Sequence, residues 1–170
     1  MSLEQALRVV PNFPKEGVTF LDISPLLEKS DNLKSLIEQL GELSAPFEFD
    51  KIVGIESRGF ILGSALALHL NKGFVMVRKK GKLPGKTVSQ SYDLEYGTDT
   101  IEILPTSVES GEKILILDDV LATGGTAAAT CKLVQKLGGQ VSGCLFLIEL
   151  DFLKGRDKMS VPIQSLIHRT

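Results

Sequence analysis

The chain has only two cysteines, Cys131 and Cys144, with neither a CxxC spacing nor a histidine close by in sequence. Both sit among apolar neighbours, so two buried free thiols are expected rather than a disulfide or a zinc site. Long apolar runs are missing too. Stretches such as 114–117 and 144–148 fall far short of the roughly 20 residues that span a bilayer, and no membrane partner is expected. Segment 1–11 carries Glu4 and Arg8 and lacks the basic, apolar and small-residue succession of a secretory leader, so the expected location is the cytoplasm. There is no excess of positive charge. Nineteen basic against 21 acidic residues leave a net charge of -2 and a pI near 5.7, which removes the broad positive field behind nonspecific nucleic-acid binding. No nucleic-acid partner is expected, and an anionic ligand must be held by a local basic site. The two histidines, His69 in an apolar helical stretch and His168 near the carboxyl end, have no serine or cysteine partner in a nucleophile motif.

What is present is an ordinary globular composition. With 170 residues, 43% of them hydrophobic and 24% charged, the chain suits one domain, 1–170, with a substantial core. Leu33, Leu36, Ile37, Leu40 and Leu43 recur at helical spacing behind the cap candidates Ser30 and Asp31, giving an amphipathic helix expected to cover a sheet face. Residues 51–55 read as a strand and 60–70 as a helix buried through Ile61, Leu62, Ala65, Leu66 and Leu70. A strand at 74–77 completes a βαβ unit. The pattern repeats with a strand at 113–117, a helix at about 126–137 stopped by Gly138 and Gly139, and a strand at 143–148. Continuous apolar strands of this kind belong to parallel sheets covered on both faces, so the expected fold is a doubly wound, mostly parallel α/β domain. Segment 78–98, rich in glycine and lysine and without a long apolar period, is expected to be a lid, folded in part as a hairpin.

The chemistry concentrates where the apolar run 114–117 meets Asp118 and Asp119, then Ala122, Thr123, Gly124, Gly125 and Thr126 at the start of a helix. Ligands of open α/β sheets bind beyond the carboxyl ends of the strands. The two glycines let backbone approach a bound group, and the threonines and free helix-start amides can donate to an anion. This is a phosphate cradle without the lysine of a Walker loop and without the GxGxxG spacing. Asp118 and Asp119 cannot bind phosphate, but they can accept hydrogen bonds from sugar hydroxyls and favour a nearby cation, which suggests a phosphorylated sugar with magnesium. Arg58, between a strand and a helix, can fork onto a diphosphate or pair with Glu56. Arg78, Lys79 and Lys82 directly follow a strand and are further anion-binding candidates. Lys80 and Lys86 read as solvated charge.

The string from Ile114 to Thr126 resembles the phosphoribosyl pyrophosphate signature of the type I phosphoribosyltransferases. Asn12, Pro14, Gly17 through Phe20, Asp22, Ser24, Pro25, Glu56 through Phe60, Arg78 through Gly85, Tyr92, Leu94 through Gly97, Glu149 and Leu150 extend the resemblance, from about Asn12 to Arg156, to the adenine phosphoribosyltransferases. The resemblance implies the corresponding fold with a small hood and a flexible lid, and an activity that joins adenine to phosphoribosyl pyrophosphate, giving AMP and pyrophosphate with Mg2+. It implies adenine near Phe20, read by backbone of Thr19 to Leu21, with Leu150 on another side. Leu21 itself stands where the family usually has a basic residue. It further implies Arg58, Arg78, Lys79 and Lys82 at the pyrophosphate, a cis peptide between Glu56 and Ser57, Asp118 and Asp119 at the ribose, and Ala122 through Thr126 at the 5-phosphate. Glu95, brought in with Tyr96 by the lid, would handle protons on adenine, and a homodimer is implied, with purine salvage as the role.

Overall fold

A computed structural model of the chain describes residues 2–94 and 96–170, in two compact units divided after Gln39. In the first, helix α1 (Leu3–Ala6) opens with a reciprocal capping box between Ser2 and Gln5, the arrangement that satisfies two otherwise orphaned amides. Strand β1 (Arg8–Pro11) pairs antiparallel with β2 (Thr19–Asp22). Asp22 accepts from the backbone nitrogen of Ser24 at 2.9 Å and from its hydroxyl at 2.6 Å, and Arg8 Nε donates to it at 2.8 Å. These bonds, those from Ser24 foremost, lower the Asp22 pKa to about 2 and fix the entry into helix α2 (Ser24–Glu28). Helix α3 (Ser30–Ser44) follows, burying Leu36, Ile37 and Leu40 as the apolar spacing predicts.

The second unit is built on β3 (Lys51–Ile55), α4 (Arg58–His69), β4 (Gly73–Lys79), β5 (Val88–Asp93), β6 (Thr98–Ile103), β7 (Lys113–Leu121), α5 (Gly125–Lys136), β8 (Gln140–Leu150) and β9 (Ile163–Arg169). The sheet order is β5-β6-β4-β3-β7-β8-β9. Strands β4, β3, β7, β8 and β9 run parallel, and β6 is antiparallel to both β4 and β5. The doubly wound, mostly parallel sheet expected from the apolar runs is therefore present. Val53, Ile55, Val75, Val77, Ile114 and Ile116 share one buried cluster with Ala129, Leu133 and Val134 of α5. Gly54, the alternate residue of β3, instead meets Phe74 and the start of α4: a Cβ there would lie 2.5 Å from the Phe74 ring and 2.8 Å from the Gly59 carbonyl. Successive strand residues face opposite ways, so α4 and α5 cover opposite faces.

Three expectations change in detail. Segment 78–98 holds the end of β4, a turn and all of β5, and β5 pairs with β6 from Val88↔Ile103 to Asp93↔Thr98. Its polar alternation hides it from a search for apolar strands. Ile61, read as buried, is 45% exposed, and Leu68, seven residues on and hence on the same helix face, is 85% exposed. Cys131 and Cys144 are free and buried as expected, but α5 and β8 bring their sulfurs to 3.8 Å. No helix among the described residues is long and apolar enough to cross a membrane.

Candidate active site

From β3 the chain winds through α4 to β4 on one side, and from β7 through α5 to β8 on the other. Strand order thus reverses between β3 and β7, and a crevice opens at their carboxyl ends, the usual ligand position in such sheets. Registration makes the opening. The β3–β7 ladder ends at Gly54↔Leu117, whereas β7 continues beside β8 to Leu121↔Glu149. Strand β7 is therefore longer than its apolar run, and from Asp118 onward it has no β3 partner. Asp118 and Asp119 belong to the strand rather than lying beyond it.

Ile55, Glu56, Ser57, Arg58, Lys79, Asp118, Asp119, Val120 and Thr126 line a cavity of about 510 Å³ there. Across it, Arg58 Nε lies 2.6 Å from Asp119 Oδ2. Burial raises the Asp118 pKa well above the ordinary carboxylate range, and the charge of Asp119 beside it adds to the shift. Gly59 allows the two walls to meet this closely: a Cβ there would sit 3.0 Å from the Leu117 carbonyl and 3.1 Å from Asp118 Oδ1. The Glu56–Ser57 peptide is cis.

Beside the crevice, Ala122, Thr123, Gly124, Gly125 and Thr126 line a smaller cup of about 80 Å³ together with Asp118, Val120 and Phe146. Gly124 caps α5 with φ 82°, a left-handed conformation costly for other residues. The first amides of α5 lack helical partners and face this loop, which gives the cup the partial positive charge that favours a phosphate.

The basic residues after β4 are gathered by carboxylates. Glu56 accepts from Lys82 Nζ, from the Lys79 backbone nitrogen at 2.8 Å and from Arg78 at 3.5 Å. Burial works to raise its pKa, but these bonds prevail and the pKa is lowered. Lys79 Nζ binds Asp99 and the Tyr92 hydroxyl, the latter at 2.9 Å; Asp99 outweighs burial and raises the lysine pKa. Lys79 thus lines the crevice directly, whereas Arg78 and Lys82 approach it through Glu56.

Thr19, Phe20 and Leu21 form β2 of the first unit, with the Phe20 ring edge-on to Phe13 at 5.2 Å between centroids. Leu150 ends β8, half-buried. Tyr96 is 82% exposed. Glu95 lies outside the described residues. Sequence reading missed Asp99, the counterion of Lys79, and Gly155, whose backbone packs on Gly124. Glu149, Asp151 and His168 have potential ligand atoms within 4.8 Å of one another. Glu149 is already occupied by Arg156 and Ser165, so a cation there would face a guanidinium.

A profile of the phosphoribosyl transferase domain matches residues 23–161. An adenine phosphoribosyltransferase of Rhodospirillum centenum is 50% identical over 167 residues, 98% of each chain. The crystal structure of an adenine phosphoribosyltransferase from Thermoanaerobacter pseudethanolicus superposes with a TM-score of 0.96 at 46% identity, covering 99% of this chain and 100% of that one. That of the Saccharomyces cerevisiae enzyme, complexed with an imino-altritol bisphosphate and adenine, gives 0.91 at 44% identity over 96% of each. With the crevice at the switch point, the glycine cup and the paired aspartates in place, these similarities mean that the chain belongs to the adenine phosphoribosyltransferases of the phosphoribosyl transferase family.

Proposed function

We infer that the chain transfers the 5-phosphoribosyl group of phosphoribosyl pyrophosphate to adenine, yielding AMP and pyrophosphate, as a purine-salvage enzyme. The observation that carries the reading is the adjacency, at the β3–β7 switch point, of a glycine-lined cup, two aspartates and a basic wall. In this reading Ala122 to Thr126 hold the 5-phosphate by amides and hydroxyls, and Asp118 and Asp119 accept the ribose hydroxyls. Arg58 and Lys79, joined by Arg78 and Lys82, take the pyrophosphate. Ser57, which lines the same crevice, also binds substrate, and the family resemblance assigns recognition of the base to Thr19, Phe20, Leu21 and Leu150.

A nitrogen of adenine attacks the anomeric carbon as its bond to the pyrophosphate oxygen breaks, and the electron pair leaves with pyrophosphate. The ribose acquires oxocarbenium character, which the aspartates favour, while the basic wall stabilises the growing negative charge. The donor set suits a hard dication: Asp118 and Asp119 offer carboxylate oxygens beside the space for a diphosphate, so these residues would hold Mg2+, mainly through substrate and water. The ion supplies charge neutralisation of the leaving group. Glu95 takes up or returns the adenine proton, and closure of the 78–98 segment with Tyr96 excludes water that would otherwise hydrolyse the donor. The reading includes a cytoplasmic homodimer, supported by the exposed apolar residues Ile61, Leu68 and Met76.

The test is nucleotide formation by the purified chain with Mg2+, phosphoribosyl pyrophosphate and each purine base. Donors and acceptors reverse between the adenine amine and the hypoxanthine carbonyl, and mismatched buried hydrogen bonds discriminate by roughly 10⁴. AMP formation with a preference of that order is expected; equal kcat/KM for hypoxanthine would overturn the base assignment.

A further inference from the structure

We propose that Arg156 is a positioning residue for the 5-phosphate loop, holding Gly155 against Gly124 through its forked ion pair with Glu149. The proposal rests on the reading that residues 122–126 receive the 5-phosphate. Two stretches of bare backbone meet behind that loop. The Gly155 carbonyl occupies the place a Cβ on residue 124 would need, and a Cβ on residue 155 would collide with the Ala122 carbonyl while reaching within 3.0 Å of the Gly124 nitrogen. Any side chain at either position would drive the two segments apart. The shape of the cup is therefore set from behind by the 151–158 segment, whose two short 3-10 turns, Asp151–Leu153 and Gly155–Lys158, join at Lys154.

Close contact alone does not keep an exposed segment in place, since its own backbone entropy favours release. Arg156, the residue directly after Gly155, provides the fastening. Its Nε and one terminal nitrogen each donate at 2.7 Å to the two oxygens of Glu149, the fork-on-fork geometry that fixes direction as well as distance. Ser165 donates to the same carboxylate at 2.5 Å, and the Glu149 side chain is only 4% exposed. The anchor is also at the right height: Glu149 pairs in register with Leu121, the last residue of β7 before the loop. At the other end of the segment, His168 Nδ1 lies 2.9 Å from Asp151 Oδ1. Sheet, carboxylate, arginine and glycine thus form one chain of contacts ending at the backbone that would meet the phosphate. Arg156 acts on the substrate only through that chain.

Small displacements of positioning groups have large effects, a 1 Å shift costing up to about 10²-fold. Arg156→Met is expected to weaken AMP binding by about 10-fold or more, while Mg2+-pyrophosphate, which would sit on the Arg58 and Lys79 side, binds within twofold of the unaltered chain. Arg156→Lys keeps the charge without the fork and should recover part of the loss; it also provides the same comparison if the methionine variant does not fold. Thr126→Val, which removes a hydroxyl from the cup itself, is the reference. Titration calorimetry with AMP and with pyrophosphate reads all three. Unchanged AMP affinity in folded Arg156→Met and Arg156→Lys, with Thr126→Val impaired, overturns the proposal and leaves the cup in place. Equal losses for AMP and pyrophosphate also overturn it, because they mark a general structural role. If Thr126→Val binds AMP normally, the reading of the cup fails and the proposal falls with it.

Discussion

Arg58 Nε and Asp119 Oδ2 stand 2.6 Å apart, joining the turn after β3 to the end of β7 across the mouth of the crevice. The pair holds the guanidinium at the crevice, so in the proposed reading this arginine would meet the diphosphate already oriented. Arg58→Lys keeps the charge but loses the planar fork. Charge-assisted hydrogen bonds contribute about 1.5–3 kcal/mol, so pyrophosphate affinity should fall by roughly 10-fold or more while AMP, which lacks the diphosphate, binds nearly as before. Equal weakening of both in calorimetric titrations would move Arg58 from the pyrophosphate to the ribose phosphate.

The paired aspartates carry a cost in stability. The Asp118 pKa is raised by burial and then by Asp119. A raised folded-state pKa means that the contribution of the group is favourable below the unfolded carboxylate value and is lost as pH rises through the folded one. The unaltered chain is therefore penalised at neutral pH, and Asp118→Asn should melt about 3 °C or more higher at pH 7 while losing activity. The gain should close below about pH 4, where the carboxyl is protonated in both states. A variant that melts lower at pH 7 would show that the Asp118 charge is compensated in the folded chain.

Glu56 has the opposite sign. Its pKa is lowered because Lys82, the Lys79 nitrogen and Arg78 outweigh burial. The stabilisation it gives is thus present above the unfolded carboxylate value and is lost as pH falls through the folded one. Glu56→Gln leaves these cations without their counterion and should cost about 1–3 kcal/mol at pH 7, a difference that shrinks towards zero in acid. Urea unfolding at pH 7 and near pH 3 checks it, and an equal deficit at both values would assign the effect to packing.

What could be read in the sequence follows from how local each signal is. Strands β3, β7 and β8 are buried on both faces, so each is a nearly continuous apolar run, and Asp118 and Asp119 stand out because they interrupt one. Arg58 and the glycine loop follow directly from their places at strand ends. Strand β5, Val88–Asp93, has only alternating burial and polar residues, and its partner β6 defines it. Asp99 and Gly155 carry no local mark at all: one matters because β6 brings it beside Lys79 of the neighbouring β4, the other because folding returns residue 155 to residue 124. The extension of β7 through its aspartates is likewise set by β8 rather than by its own residues.

The last prediction concerns Glu95, which the sequence places between Leu94 and Tyr96, exposed by 48% and 82% respectively. The Leu94 nitrogen donates to the Gly97 carbonyl at 2.9 Å, so these flanking residues close the connection between β5 and β6. Strand β5 also approaches the start of α5, since a Cβ on Gly125 would lie 3.4 Å from the Tyr92 ring. In the proposed reading the Glu95 carboxylate serves the base and takes no part in binding the donor. Glu95→Gln preserves size and much of the hydrogen bonding but removes proton exchange, so its effect should fall on turnover rather than on donor affinity. A loss of roughly 10² in single-turnover AMP formation is the usual size for a proton-transfer group. A near-normal rate would take Glu95 out of the mechanism, whereas a loss confined to phosphoribosyl pyrophosphate affinity would make it a residue that positions the hairpin.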